Sequence, residues 1–176
     1  MKARRCTDKD LSPILTLVNH EIEHGVAHFG QTAITPEELI TQFESRGVYP
    51  WLVVEDDGEF CGFSKSGPLK PREAYRWSVE VSIYLCQHAQ GRGLGKLLYR
   101  ALFDELESLG FRRVLAGVVP PNPASERLHE SLGMRVIGTQ ERVGFKHGRW
   151  HDVRYYQLDL PRGSDADAPP AREPGT

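Results

Sequence analysis

Hydrophobic and polar positions alternate along this chain with two periods, and the switches between them mark out its elements. Residues 2–6 read as a short strand. Leu11, Ile14, Leu15, Val18 and Ile22 then recur at helical spacing, with Thr7 or Asp8 as the cap and Gly25 as the stop. Thr35-Pro36-Glu37-Glu38 predicts a second helix through Leu39, Ile40 and Phe43. It supplies a cap, a proline at the first helical position and a glutamate placed for a capping box. Residues 49–55 and 59–64 read as paired strands turning at Asp56-Asp57-Gly58. A loop rich in Pro, Lys and Arg (residues 68–72) leads to a further strand at 79–86.

That strand runs into the glycine-rich turn Gln90-Gly91-Arg92-Gly93-Leu94-Gly95. A helix follows, with Leu94, Leu97, Leu98, Ala101, Leu102 and Leu106 as its apolar face and Gly110 as a left-handed stop. Residues 114–119 predict a buried strand. Asn122 caps a short helix over 125–132 with Pro123 at its first position, and Gly133 closes it. Residues 134–139, 142–145 and 150–160 read as strands, the last two joined by a turn at residues 146–149. The order predicts a mixed α/β, α+β-like domain. Its central twisted sheet is mostly antiparallel, holds one parallel βαβ unit and has helices on both faces.

Composition changes this picture little. A chain of 176 residues is enough for one domain with a sizeable core, expected over residues 1–160; a tail from 161 to 176 has almost nothing to bury and is expected to be disordered. The net charge of −2 gives no support for nucleic acid as partner. Cys6, Cys61 and Cys86 make no disulfide framework and suit a reducing compartment. With no membrane-length apolar run and no apolar signal core, a soluble cytoplasmic protein is expected.

The strand, glycine turn and helix N-terminus together make a backbone anion site, because free N–H groups converge there and missing side chains allow close approach. Two familiar phosphate motifs fail. Lys96 stands where the dinucleotide fingerprint needs its third glycine, and Leu97 stands where a P-loop needs Ser or Thr. The pattern from Gln90 to Gly95 instead resembles the pyrophosphate signature of the GNAT acetyltransferases. Within that superfamily the chain resembles the phosphinothricin acetyltransferase family. The resemblance is carried by Tyr49-Pro50-Trp51-Leu52-Val53, Leu128-His129-Glu130 and above all the run from Gly144 to Val153, and it extends over about residues 4–160.

The resemblance implies an acetyl-CoA-dependent N-acetyltransferase, a homodimer, acting by direct transfer on the α-amine of a small amino acid or analogue such as phosphinothricin, methionine sulfoximine or methionine sulfone. It implies that Ile83, Tyr84 and Leu85 present backbone to the pantetheine arm. Gln90, Gly91, Arg92, Gly93, Leu94, Gly95 and Lys96 would cradle the pyrophosphate, and Asn122 would hydrogen-bond the cofactor. Glu80 corresponds to the proposed general base, and direct transfer needs one because alkyl ammonium groups are mostly protonated at neutral pH. His129 stands where many GNAT enzymes place the tyrosine that protonates the departing thiolate. Lys70, Pro71, Arg72 and Tyr75, with Phe29, Glu80, Val81 and Ser82, fall on the acceptor side. Arg72 suits a carboxylate or phosphinate better than Lys70, because its planar fork makes two parallel bonds.

Rival readings of these residues are an acetyltransferase for a polyamine or protein N-terminus, and a non-catalytic acyl-CoA sensor. Cys86 offers a covalent route that the resembling family does not use. His20, His24 and His28 recur every four residues, but Gly25 interrupts the helix that would bring them together, and no metal is expected.

Overall fold

The computed structural model describes residues 1–160 and 172–176. Among the described residues seven strands form one sheet in the order β1-β2-β3-β4-β5-β7-β6. They are β1 (Lys2–Arg5), β2 (Trp51–Asp56), β3 (Glu59–Pro68), β4 (Ser78–Leu85), β5 (Arg113–Val118), β6 (Arg135–Lys146) and β7 (Arg149–Asp159). Of these seven, only β4 and β5 pair in parallel. Four helices join them: α1 (Leu11–His24), α2 (Pro36–Glu44), α3 (Leu94–Ser108) and α4 (Pro123–Ser131).

The sheet carries a separate apolar cluster on each face. One packs α1 and α2 against Trp51, Val53 and Phe63; the other packs α3 against Val79, Val81, Val114, Ala116 and Tyr156, with Leu128 of α4 at its margin. Helices therefore cover both faces, as the sequence pattern predicts. Local chemistry sets the element ends. Thr35 Oγ1 accepts from Glu38 N at 3.2 Å while the Glu38 carboxylate accepts from Thr35 N at 2.8 Å, the reciprocal capping box. Asp57 and Gly58 both have positive φ, which gives the two-residue β2–β3 turn the twist its strands need.

Several boundaries differ from the sequence pattern. Thr7 starts a single 3₁₀ turn, Asp8–Asp10, and α1 begins only at Leu11. The face of α3 that packs inward is Leu94, Leu98, Tyr99, Leu102, Phe103 and Leu106, whereas Leu97 is turned outward. The two strands expected over 134–145 are one strand, β6. Its register against β7 shifts between Val136 and Gly138 and again between Gln140 and Gly144, and Arg142 takes a φ of 50°. Bulges bend a strand without ending it, which the alternation pattern cannot distinguish from a break. β3 runs four residues beyond Ser64, to Pro68. Of the tail, residues 161–171 lie outside the described residues. Arg172 to Thr176 lie against the end of α3, where Trp77 Nε1 donates to Arg172 O at 2.9 Å and Gly175 N to Leu109 O at 2.8 Å.

Candidate active site

β4 and β5 pair only at Ser78–Arg113, Val79–Val114 and Glu80–Leu115. Both strands continue beyond, to Leu85 and Val118, without pairing, so the sheet forks just after Glu80. Two cavities open at this fork, one of about 650 Å³ and one of about 460 Å³. Val81, Ser82 and Tyr84 of β4, Gly117 of β5 and Val119 just past it line both.

The smaller cavity runs from the fork to the start of α3 and takes in Ile83, Leu85, Gln90, Gly91, Gly93, Gly95, Lys96 and Asn122. Gly91 and Gly93 have φ of 72° and 81°, and a Cβ at either would meet nothing within 4 Å, so the space beside them is open. The first helical hydrogen bonds are made by Lys96 and Leu97, both to Gly93 O. The N–H groups of residues 91–95 have no acceptor among the described residues, and the positive end of the α3 dipole adds to them. Gly95 serves a different purpose. A Cβ there would lie 3.2 Å from Leu128 and 3.3 Å from Leu85, so it lets α3 close on β4 and α4. Arg92 is bound to Asp56, and neither it nor Leu94, which is buried in the core, lines the cavity. Asn122 caps α4 by accepting from Ser125 N at 3.1 Å, so its cap role and its place in the cavity coexist.

The larger cavity lies on the α1–α2 side of the sheet. Glu80, Ser82 and Tyr84 share one face of β4, and the cavity also takes in His28 and Phe29, Arg46, Tyr49, Trp51, Lys65 and Tyr155. Burial raises the pKa of Tyr84 and Tyr155, and nearby negative charge (Glu21 and Glu80 at Tyr84, Glu80 at Tyr155) adds to it, so both phenols keep their protons. Burial lowers the pKa of His28 and of Lys65.

Phe29, Glu80, Val81 and Ser82 are thus brought together in the larger cavity. Lys70, Pro71, Arg72 and Tyr75 line neither cavity. β3 extends to Pro68 at the cavity edge, which carries the following loop past the rim. Sequence reasoning passed over Arg46, Tyr49, Lys65 and Tyr155. Lys65 could have been suspected as a lone cation inside an otherwise buried strand, whereas Arg46 and Tyr155 reach the site only through packing of α2 and β7.

His129 lines the smaller cavity and is 2% exposed. Its Nδ1 lies 2.6 Å from Ser125 O, a carbonyl that can only accept, so Nδ1 carries the hydrogen. Burial holds its pKa below the usual value, which leaves Nε2 unprotonated, and Nε2 has no partner. The expected acid role for His129 therefore finds no free proton. The covalent route fails similarly. Cys86 lies beyond the end of β4, lines neither cavity, and its thiol pKa is raised by burial. Of the three histidines, the rings of His20 and His24 on α1 lie tilted to each other with centroids 4.8 Å apart, while His28 lies in the larger cavity. Among the described residues no three His, Cys, Asp or Glu side chains form a metal-binding group, and no helix is long and apolar enough to cross a membrane.

Comparison with known proteins gives a consistent picture. A family model described as Acetyltransferase (GNAT) family matches residues 19–134. The chain is 40% identical over 171 residues to a phosphinothricin N-acetyltransferase from Streptomyces viridochromogenes, covering 97% of this chain and 91% of that protein. It is 35% identical over 167 residues to an L-methionine sulfoximine/L-methionine sulfone acetyltransferase from Salmonella typhimurium, covering 93% and 98%. Among solved structures, a GNAT phosphinothricin acetyltransferase from Sinorhizobium meliloti in complex with AcCoA superposes with a TM-score of 0.91 at 33% identity, covering 97% of this chain and 93% of that one.

Proposed function

This chain belongs to the acetyltransferase (GNAT) family, and on that premise we propose that it acetylates the α-amine of a small amino acid or analogue of the phosphinothricin, methionine sulfoximine or methionine sulfone type. Acetyl-CoA is the cosubstrate, and it supplies an activated acetyl thioester. The residues present fit it. The unpaired N–H groups of residues 91–95 suit a pyrophosphate, the open sides of Gly91 and Gly93 admit it, and the unpaired edge of β4 beyond Glu80 offers backbone groups to the pantetheine arm.

The observation that carries this reading is the fork at Glu80. One cavity suits a long phosphorylated cosubstrate, the other suits a compact acceptor, and they meet at Val81, Ser82 and Tyr84. Glu80 lines the acceptor cavity beside this junction and takes the proton that the ammonium group must lose before its nitrogen can attack. Tyr84 lines both cavities and keeps its proton, so it serves as the hydrogen-bond donor at the junction in place of His129.

Lys65 and Arg46 in the acceptor cavity disfavour a polyamine, which would bring more positive charge to two cations. A silent sensor would have no use for a carboxylate at the fork. Homodimer formation is supported by the exposed apolar residues Val136, Ile137, Val143, Phe145 and Trp150 on the β6–β7 edge, and work in the cytoplasm by three free thiols. The test is thiol release from acetyl-CoA with a panel of amino acids, amino-acid analogues, polyamines and an N-terminal peptide. Turnover confined to polyamines or the peptide overturns the reading.

A further inference from the structure

The larger cavity holds two cations, and only one is free to meet a ligand. The Arg46 guanidinium donates to Phe43 O and lies over the Phe43 ring at 3.7 Å from its centroid, so it is tied to the end of α2. Lys65 is different. Its Nζ lies 5.0 Å from the centroid of Trp51 and has no hydrogen-bond or ion-pair partner among the described residues, although the side chain lines the cavity and is largely removed from water. A cation over an aromatic face is only partly compensated, and a buried charge calls for an opposite charge.

The register places this cation relative to the chemistry. Lys65 pairs with Ser82 and Gly67 with Glu80, so Lys65 and Glu80 are diagonal neighbours on one face of the β3–β4 ladder. Such neighbours lie about 7–8 Å apart at Cα. That spacing suits an acceptor whose amine meets Glu80 while an acidic group a few bonds away meets Lys65. We propose that Lys65 is a specificity-determining residue that binds the acidic side-chain group of the acceptor amino acid, a carboxylate or phosphinate, and so selects for that class. The inference rests on the amino-acid reading above and goes beyond it in naming the residue and the acceptor group it holds. Burial lowers the Lys65 pKa, and an anion at Nζ would raise it again.

The experiment measures kcat/KM for wild type, Lys65→Met and Lys65→Arg with three kinds of acceptor. Phosphinothricin and L-glutamate carry an acidic side chain, L-methionine sulfone carries a neutral polar one, and 4-aminobutyrate carries a distal acid with no α-carboxylate. In Lys65→Met, kcat/KM for the acidic acceptors and for 4-aminobutyrate should fall by about 10- to 100-fold, the scale of a lost charge-assisted hydrogen bond. The sulfone should be nearly unaffected, and Lys65→Arg should retain part of the activity. Thermal stabilisation by acetyl-CoA in each variant reports that the fold and the other cavity are intact. Equal losses for the sulfone and the acidic acceptors would mean that Lys65 holds the α-carboxylate, and unchanged rates would mean that it holds nothing; either overturns the proposal. A wild type that turns over the sulfone but no acidic acceptor overturns it as well. A wild type that binds acetyl-CoA but acetylates no amino acid overturns the amino-acid reading itself, and the proposal with it.

Discussion

Phe29 lies directly over Gly144: a Cβ at Gly144 would be 2.2 Å from Phe29 Cε2, so the ring occupies space that only glycine leaves free. This contact belongs to a clamp. Gln31 Nε2 donates to Phe145 O at 3.1 Å, Lys146 Nζ to His28 O at 2.5 Å, and His147 Nε2 to Gly25 O at 3.1 Å. The β6–β7 hairpin therefore fixes the loop of residues 25–31, which carries His28 and Phe29 into the acceptor cavity. Gly144→Ala should push the far edge of the Phe29 ring aside without unfolding the sheet. We expect acceptor KM to rise by roughly 3- to 10-fold with kcat little changed, the signature of lost uniform binding. Steady-state kinetics on this variant check it, and an unchanged KM would show that Phe29 does not shape the acceptor cavity.

Gly93 should matter to the other substrate. Its φ of 81° is one that only glycine adopts without strain, and its open side faces the smaller cavity. Gly93→Val should therefore abolish both the calorimetric binding of acetyl-CoA and its thermal stabilisation of the protein. Backbone strain alone should lower stability by only about 1–2 kcal/mol. A folded variant with wild-type affinity would remove the turn from the binding site.

Glu80→Gln keeps the shape of the fork and removes the carboxylate proposed as the base. kcat at neutral pH should drop by about 10²-fold or more while the acetyl-CoA Kd is unchanged. Raising the pH towards the pKa of the acceptor amine should restore part of the rate, because the substrate then arrives deprotonated. If kcat survives at neutral pH, another group takes the proton.

His28 and His129 predict the acid limb of stability. Both have their pKa held below the ordinary 6.5, by burial first and, at His28, by Lys65 and Lys146 as well. As pH falls below about 6.5 the unfolded chain binds protons that the folded chain does not, so stability present at pH 7.5 is lost through that window. Each such proton contributes a slope of up to about 1.4 kcal/mol per pH unit. Urea unfolding of His129→Leu between pH 7.5 and 5 should show a shallower slope than wild type. An identical slope would mean that the folded state protonates His129 as readily as the unfolded chain.

The sequence alone determines a good deal here, because several decisions are local. The capping box at Thr35 and Glu38, the Asp57–Gly58 turn and the left-handed Gly110 each depend on a few adjacent residues, and all are found where the pattern puts them. The glycine turn reads as a candidate anion site for the same reason, since its donors would be consecutive N–H groups. Tertiary structure decided the rest. The fork depends on where β4 and β5 stop pairing, strands joined through α3 and 35 residues apart in sequence where Ser78 meets Arg113. Which cations line the larger cavity depends on the extra length of β3, which brings Lys65 into it and carries Lys70 and Arg72 beyond it. His129 is chemically ordinary on paper; only burial against the rings of Tyr99 and Tyr156 makes it a neutral base, and the main-chain oxygen of Ser125 fixes its hydrogen on Nδ1. Composition and period are properties of the chain, whereas desolvation and proximity are properties of what packs against it, and it is these that select the chemistry at the fork.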